Sequence, residues 1–210
     1  MTSLVLKDLL NLRSYFKTII IFIVFYGFIN YSMDDSSFLA GMVILLFTMM
    51  PISSFTYDQQ AKWNVFGQSL PVTRKEIVLS KYILSGIFLF VGFAVSVVMS
   101  VLISMVKSTI IEWENLFISN ASIVAVAIVL LSILIPLIYK FGVEKSRFMM
   151  MVIILVPIII SITLPKLGLK IPTDLDLSLP IVYGIIVFAE IVMTIVSFLI
   201  SLKIFVTKDF

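Results

Sequence analysis

Long apolar segments separated by short polar ones run along almost the entire chain. A helix that crosses the hydrocarbon core of a bilayer needs about 20 consecutive, mostly apolar residues. The segments that approach this length are residues 18–33, 38–55, 81–106, 120–139, 148–164 and 180–202. The pattern predicts an all-α polytopic membrane protein with six transmembrane helices, which form a single transmembrane domain over residues 1–210.

The segment ahead of the first apolar run has a helical periodicity of its own. Val5, Leu9, Leu12 and Phe16 recur at helical spacing and give residues 3–17 an apolar face. The polar side chains that fall elsewhere on the wheel are Lys7, Asp8, Asn11 and Lys17. The first 17 residues are therefore predicted to form an interfacial helix that lies on the membrane. This helix is either a simple anchor or a mechanical element.

The polar segment between the second and third runs is the longest interruption of the apolar pattern. Residues 59–68 can form a short helix that carries Trp63 and Phe66 on one side, since they are three positions apart. Pro71 ends that helix, because the residue before a proline avoids helical geometry. A short amphipathic helix held between two rigid spans is suited to docking a soluble partner. The alternative is a solvated loop with an interfacial Trp.

A second helix start follows directly. Thr73 and Glu76 have the S/T-x-x-E spacing of a capping box, in which each residue satisfies a backbone N–H of the other. The helix that begins there is predicted to continue without a break into the third apolar run. Residues 57–80 together make up this polar segment between the second and third runs.

Composition narrows the function classes. Hydrophobic residues make up 61% of the 210 residues, and the mean hydropathy is +1.20. Cys and His are absent, which removes disulfides, thiolate metal sites and the commonest general base. The pI of about 9.1 is explained by basic membrane-flanking loops rather than by nucleic-acid binding. No pattern of a removable signal peptide is present at the start.

The distribution of Lys and Arg predicts the orientation. If both termini lie on one side, that side holds 12 of the 15 basic residues and the other side holds 3. The three are Lys107, Lys166 and Lys170. The basic side faces the cytoplasm by the positive-inside rule, so the N- and C-termini and residues 57–80 are expected to be cytoplasmic.

Glu190 is the one acid deep within an apolar run. An unpaired charge at membrane depth costs roughly 2.5 kcal/mol or more, so this side chain is expected to face protein or water. Thr194, Ser197 and Ser201 continue a polar stripe from Glu190 at helical spacing, and Tyr183 lies one heptad earlier. The stripe is a candidate translocation surface with a carboxyl suited to cationic cargo. The alternative is a neutral Glu190 that hydrogen-bonds to a neighbouring helix.

Small residues form a second stripe on the third run. Gly92, Ser96, Ser100 and Ser104 recur every four residues, a spacing that lets helix backbones approach closely. Packing within the subunit is the favoured interpretation, and a dimer seam or a pore lining is the alternative.

The polar segments also carry a resemblance to a known family. The residues concerned are Leu6-Lys7-Asp8-Leu9, Tyr57-Asp58, Trp63 and the continuous stretch SLPVTRKEIVLSKY from Ser69 to Tyr82. In this order they resemble the type-2 ABC transporter permeases. They are similar in particular to the small six-span bacterial branch that contains exporters of phenol-soluble modulin peptides and related immunity permeases. The segment between Pro165 and Leu179 is short, so any outer re-entrant helices must be minimal. In this respect the chain departs from the larger lipid exporters.

The resemblance implies a permease subunit in a bacterial plasma membrane that dimerises with a second copy or a paralogue. It implies ABC ATPase partners that bind ATP and Mg²⁺, with no cofactor in this chain, and a peptide cargo. The segment between spans two and three becomes the coupling helix that docks on the ATPase. The candidate contacts carried over are Tyr57, Asp58, Lys62, Trp63, Phe66, Arg74 and Glu76.

Other functions remain to be weighed against this one. The chain has no G-x-x-x-x-G-K-[ST] loop, so ATP chemistry must come from another polypeptide. An intramembrane protease or metalloenzyme is disfavoured, because one deep carboxylate without His or Cys builds no catalytic or metal site. A non-pumping immunity or sensor subunit that binds peptides is the alternative to an exporter.

Overall fold

The computed structural model describes residues 2–32, 37–67, 71–108, 112–166 and 179–208. Within these ranges the regular secondary structure is helical, as the sequence predicts. Their bounds are α1 Thr2–Asn11, α2 Arg13–Ser32, α3 Ser37–Gln60, α4 Trp63–Gly67, α5 Arg74–Lys107, α6 Trp113–Phe141, α7 Val143–Lys166 and α8 Leu179–Thr207.

Four helices in the described ranges are long and apolar enough to cross a membrane. They comprise α5, α6, the part of α3 from Gly41 to Gln60 and the part of α8 from Tyr183 to Thr207. The bent pair of α1 and α2 is a fifth candidate if the two helices are counted as one span. The predicted span over residues 148–164 falls within α7, where many side chains lie outside the described set. The short segment between Pro165 and Leu179 is largely outside it as well.

The first predicted helix differs from expectation at its end. A single helix over residues 3–17 is expected, but α1 stops at Asn11 and α2 leaves at an angle of 57°. Leu12 occupies the bend and is completely buried. The bend allows Leu12 to pack in the core, so the chain does not continue as one straight surface helix.

Two buried clusters hold the helices together. One joins α3, α5, α6 and the end of α8, with Tyr139 in edge contact with both Phe55 and Phe205. The other joins α1, α2, α3 and α5 around Leu12 and Phe88. Both clusters contain residues of α3 and α5, which form the most extensively packed helix pair.

The small-residue stripe of α5 lies in this packing, as favoured from the sequence. Gly92, Ser96 and Ser100 are buried. A Cβ on Gly92 would lie 2.9 Å from Cβ of Phe47 on α3. Ser96 donates a 2.6 Å hydrogen bond to Asn120 Oδ1 on α6.

Candidate functional site

Helix α4 is held between the ends of two long helices. The sequence predicts one helix over residues 59–68, but α3 continues through Gln60 and a turn at Ala61 and Lys62 precedes α4. Lys62 has a φ of +49°, a left-handed conformation that redirects the chain. Tyr57 and Asp58 are consequently part of α3 and not of a loop. The predicted start of the short helix was therefore wrong by four residues.

The predicted aromatic side of α4 is present. The rings of Trp63 and Phe66 lie with centroids 5.5 Å apart, and Phe66 is 56% exposed. Trp63 is half-buried and packs against the first core cluster. Helix α4 therefore combines an anchored aromatic residue with an exposed one.

The start of α5 is fixed by the predicted capping box. Thr73 Oγ1 accepts from the backbone N–H of Glu76 at 3.2 Å, and Glu76 Oε2 accepts from the backbone N–H of Thr73 at 2.8 Å. Two backbone donors of the first turn are thereby satisfied reciprocally. Arg74 also donates a 2.5 Å hydrogen bond to the carbonyl oxygen of Val206 near the end of α8. The N-terminus of α5 and the C-terminus of α8 therefore meet next to α4.

Beneath α4 lies an ion-pair ring of four residues: Lys7 and Asp8 from α1, Asp58 from α3 and Lys81 from α5. Each lysine contacts both carboxylates. Lys7 Nζ lies 2.7 Å from Asp58 Oδ1 and 3.0 Å from Asp8 Oδ1, and Lys81 Nζ lies 2.9 Å from Asp8 Oδ2 and also contacts Asp58 Oδ2. The ring is electrically balanced and joins three helices.

The ring is buried, which makes its balance energetically important. The side chains of Asp8, Lys81 and Asp58 are only 1%, 3% and 7% exposed. Lys81 also donates to Ser54 Oγ at 2.8 Å. Removing one partner of a buried ion pair costs about 3–5 kcal/mol, because the other charge is left uncompensated. The ring therefore ties α1, α3 and α5 together at the end of the bundle that carries α4.

The predicted docking residues differ in their exposure and in their contacts. Lys62 and Phe66 are exposed, whereas Asp58 is buried in the ring. Tyr57 contacts the ring of Tyr15 at 5.9 Å between centroids. Glu76 caps the N-terminus of α5, and Arg74 donates to the carbonyl oxygen of Val206 on α8. The structure brings this set to one end of the bundle, and its docking role stays a prediction.

The polar stripe on α8 is divided in a similar way. Ser197 and Ser201 are buried, and both hydroxyls hydrogen-bond to the Tyr82 hydroxyl on α5, at 2.6 and 2.9 Å. Ser197 also donates to the carbonyl oxygen of Ser132 on α6 at 2.5 Å. Thr194 lies 3.4 Å from the Ser132 hydroxyl. These hydroxyls join α5, α6 and α8 within the subunit.

Glu190 lies apart from these contacts, in a groove between α6 and α8. The groove has a volume of about 540 Å³ and is lined mostly by apolar side chains, with Tyr183 and Ser122 among the polar ones. Glu190 Oε1 is inaccessible to solvent and has no hydrogen-bond partner among the described residues. The role of this stripe as a translocation surface stays a prediction. Within the stripe, Glu190 lines the groove, whereas Ser197 and Ser201 are buried.

Comparison with known proteins identifies the family. A family model described as ABC-2 family transporter protein matches residues 3–206, nearly the whole chain. The chain belongs to the ABC-2 transporter family. No curated protein and no solved structure matches it.

Membership of the ABC-2 family supports a permease subunit of an ABC transporter that is embedded in a membrane by several helices. It also implies partnership with an ABC ATPase. The matched range of this ABC-2 protein includes α4, nearly all of α1 and all but the last residue of α8.

Sequence reasoning missed the ion-pair ring of this ABC-2 protein. It placed Lys7 and Asp8 away from the apolar face of α1, yet Asp8 is buried between Val5 and Leu12. A signal was available: Asp8 follows Val5 by three residues and precedes Leu12 by four, so it shares their face. Lys81 lies among apolar residues early in α5, and its pairing with buried carboxylates was not predicted.

Proposed function

We propose that the chain is the permease subunit of an ATP-driven exporter that moves amphipathic or hydrophobic peptides out of a bacterial cell by alternating access. ATP and Mg²⁺ bind to a separate ABC ATPase, which binds α4. The observation that carries this proposal is the anchored α4 with its exposed aromatic side. The chain contributes mechanical coupling and a path for the cargo, and the chemistry of ATP hydrolysis belongs to the partner.

The geometry of α4 suits docking better than a solvated loop would. A five-residue helix is too short to be stable alone, so its shape depends on the helices that flank it. Aromatic side chains in pockets dominate the energetics of many interfaces, and the Phe66 side chain is largely exposed. Because α3 and α5 continue directly from the α4 region, a push on α4 moves both helices.

The contacts among the termini support a cytoplasmic location for this end. Lys7 of α1 lies against Trp63, and Arg74 bonds to Val206 near the end of α8. Lys208 donates to the carbonyl oxygen of Tyr139 at the end of α6. Both ends of the chain and the coupling region therefore share one end of the bundle, which is also the end rich in basic residues. The positive-inside rule makes it the cytoplasmic end of a plasma-membrane protein.

The proposed permease has six spans and works as a dimer of two copies or of two paralogues. The spans comprise α3, α5, α6 and α8, with α2 and α7 completing the set. Helix α8 exposes apolar side chains along its length, including Ile185, Phe188 and Leu199. Lipid and a second permease are the occupants that such a surface favours.

The proposed cargo is a peptide with apolar and cationic groups. The groove between α6 and α8 offers an apolar wall to the former and Glu190 to the latter. Glu190 Oε1 has no hydrogen-bond partner among the described residues. An unpaired charge at membrane depth is costly, and a cationic group of the cargo would offset that cost.

The proposal is tested with paired double variants in the ATPase complex. Trp63→Ala/Phe66→Ala is expected to weaken binding of the Walker-A subunit and to abolish ATP-driven peptide uptake into inverted vesicles. The control is Trp113→Ala/Phe117→Ala, since these stacked rings start α6 at the opposite end, with centroids 6.3 Å apart. Undiminished ATPase binding in the first variant refutes docking on α4. Peptide binding without ATP-dependent uptake by the unaltered complex would favour the immunity or sensor function instead.

A further inference from the structure

Lys7 differs from the other three members of the ion-pair ring. Its side chain is 22% exposed, whereas those of Asp8, Lys81 and Asp58 are almost fully enclosed. Lys7 Nζ also lies 4.0 Å from the centre of the Trp63 ring. One ammonium group therefore contacts two buried carboxylates on one side and the aromatic anchor of α4 on the other.

Helix α4 needs such support from outside its own sequence. It has five residues and begins after a left-handed turn residue, so its own hydrogen bonds do not define its position. Gly67, at its other end, approaches Ile77 of α5: a Cβ on Gly67 would lie 3.7 Å from Ile77 Cδ1. At the N-terminal end of α4, Lys7 of α1 contacts the Trp63 ring.

We propose that Lys7 is the positioning residue of α4, which seats the coupling helix on the ion-pair ring. The inference rests on the proposed docking role of α4 and names what sets its position. Lys7 forms ion pairs with Asp8 of α1 and Asp58 of α3, and both carboxylates also form ion pairs with Lys81 of α5. A displacement of Trp63 is therefore transmitted to three helices. Helix α1 is then part of the coupling device and not only an anchor.

The strength of the contact depends on charge. A cation over an indole ring is attracted by the negative face of the ring, and the attraction is strongest for Trp. Met has a similar length but no charge, whereas Arg keeps the charge. Loss of the cation at a partly exposed site should shift the ratio of seated to unseated α4 about two- to fivefold.

The first experiment observes α4 directly, without the ATPase. The chain has two Trp residues, so Trp113→Phe leaves Trp63 as the single fluorophore. In that background, reconstituted in nanodiscs, Lys7→Met should raise the acrylamide-accessible population of Trp63 about two- to fivefold. Lys7→Arg should restore the unaltered value. Lys145→Met removes an exposed cation at the start of α7 and should change nothing.

A second variant separates positioning from charge balance. Lys7→Met leaves two acids facing one lysine, whereas Lys7→Met/Asp8→Asn leaves Asp58 facing Lys81 and restores electrical balance. The positioning role predicts that Trp63 stays accessible in the double variant. A return of Trp63 to its unaltered accessibility in the double variant, or an unchanged value in Lys7→Met alone, overturns the inference.

The same variants are then measured in the full complex. Lys7→Met should weaken ATPase affinity about two- to fivefold, and Lys7→Arg should restore it. If neither Lys7→Met nor Trp63→Ala/Phe66→Ala changes the ATPase affinity, the docking proposal fails. The fluorescence result then still decides the role of Lys7. If that double variant weakens binding and Lys7→Met affects neither affinity nor fluorescence, the positioning role alone fails.

Discussion

Gly92 allows a stringent test of the packing between α3 and α5. Its nearest neighbour across the interface is Cβ of Phe47, which a new Cβ would approach to 2.9 Å. A Cβ atom is fixed to its backbone, so rotation of the Phe47 ring cannot relieve this contact. Helix α3 would have to move as a unit, and its displacement would be opposed by the core cluster in which Phe47 lies.

Gly86 is a matched control on the same helix. A Cβ there would meet nothing within 4 Å. Gly→Ala raises helix propensity by about 1 kcal/mol at either position, so this gain cancels when the two variants are compared. Overpacking a well-packed interior costs about 1–3 kcal/mol, and that cost falls on Gly92→Ala alone.

The assay is thermal unfolding of the two variants in one detergent. For a chain of this size, 1 kcal/mol corresponds to about 2–4 °C in Tm. Gly92→Ala should therefore unfold about 2–12 °C below Gly86→Ala. Equal values of Tm, or a lower value for Gly86→Ala, would refute the argument that Phe47 leaves no room for a side chain at Gly92.

Three further predictions concern polar contacts and the backbone. Asp58→Leu should destabilise the protein by about 3–5 kcal/mol, whereas Asp58→Leu/Lys81→Met should cost less than the sum of the single changes; additive values of Tm would contradict a coupled ring. Tyr82→Phe, which removes the hydroxyl bonded to Ser197 and Ser201, should cost about 0.6–1.7 kcal/mol in the same assay, and a stabilised variant would contradict it. Gly142→Ala should lower stability by about 1–3 kcal/mol, because a φ of +84° with a ψ of 171° lies in a region that essentially only glycine adopts, and an unchanged Tm would contradict this expectation.

Features that depend on local sequence were predictable. The capping box of Thr73 and Glu76 forms as expected, because both partners lie within one turn of the same helix. The shared side of Trp63 and Phe66 also follows from their spacing. Apolar length identifies α5, α6 and α8 as candidate spans for the same reason, since bilayer thickness is a property of a single segment.

Features that depend on distant residues were not predictable in this way. Asp58 was expected in a coupling loop, but α3 extends past it because Lys7 and Lys81 compensate its charge inside the bundle. Those partners are 51 and 23 positions away in sequence. The bend at Leu12 and the hydrogen bond from Arg74 to Val206 likewise need a tertiary partner, which periodicity does not reveal.

The length of α5 has a mechanical consequence. Its 34 unbroken residues make a rod of about 51 Å, while the hydrocarbon core of a bilayer is about 30 Å thick. The excess extends beyond the core, and the capped end of the rod stands beside α4. A sideways force on the protruding end of α5 would tilt the entire helix about a point inside the bilayer. In the proposed permease the opposite end, at Lys107, would then swing the other way, so a force from the ATPase on one side of the membrane would reach the other side without unwinding α5.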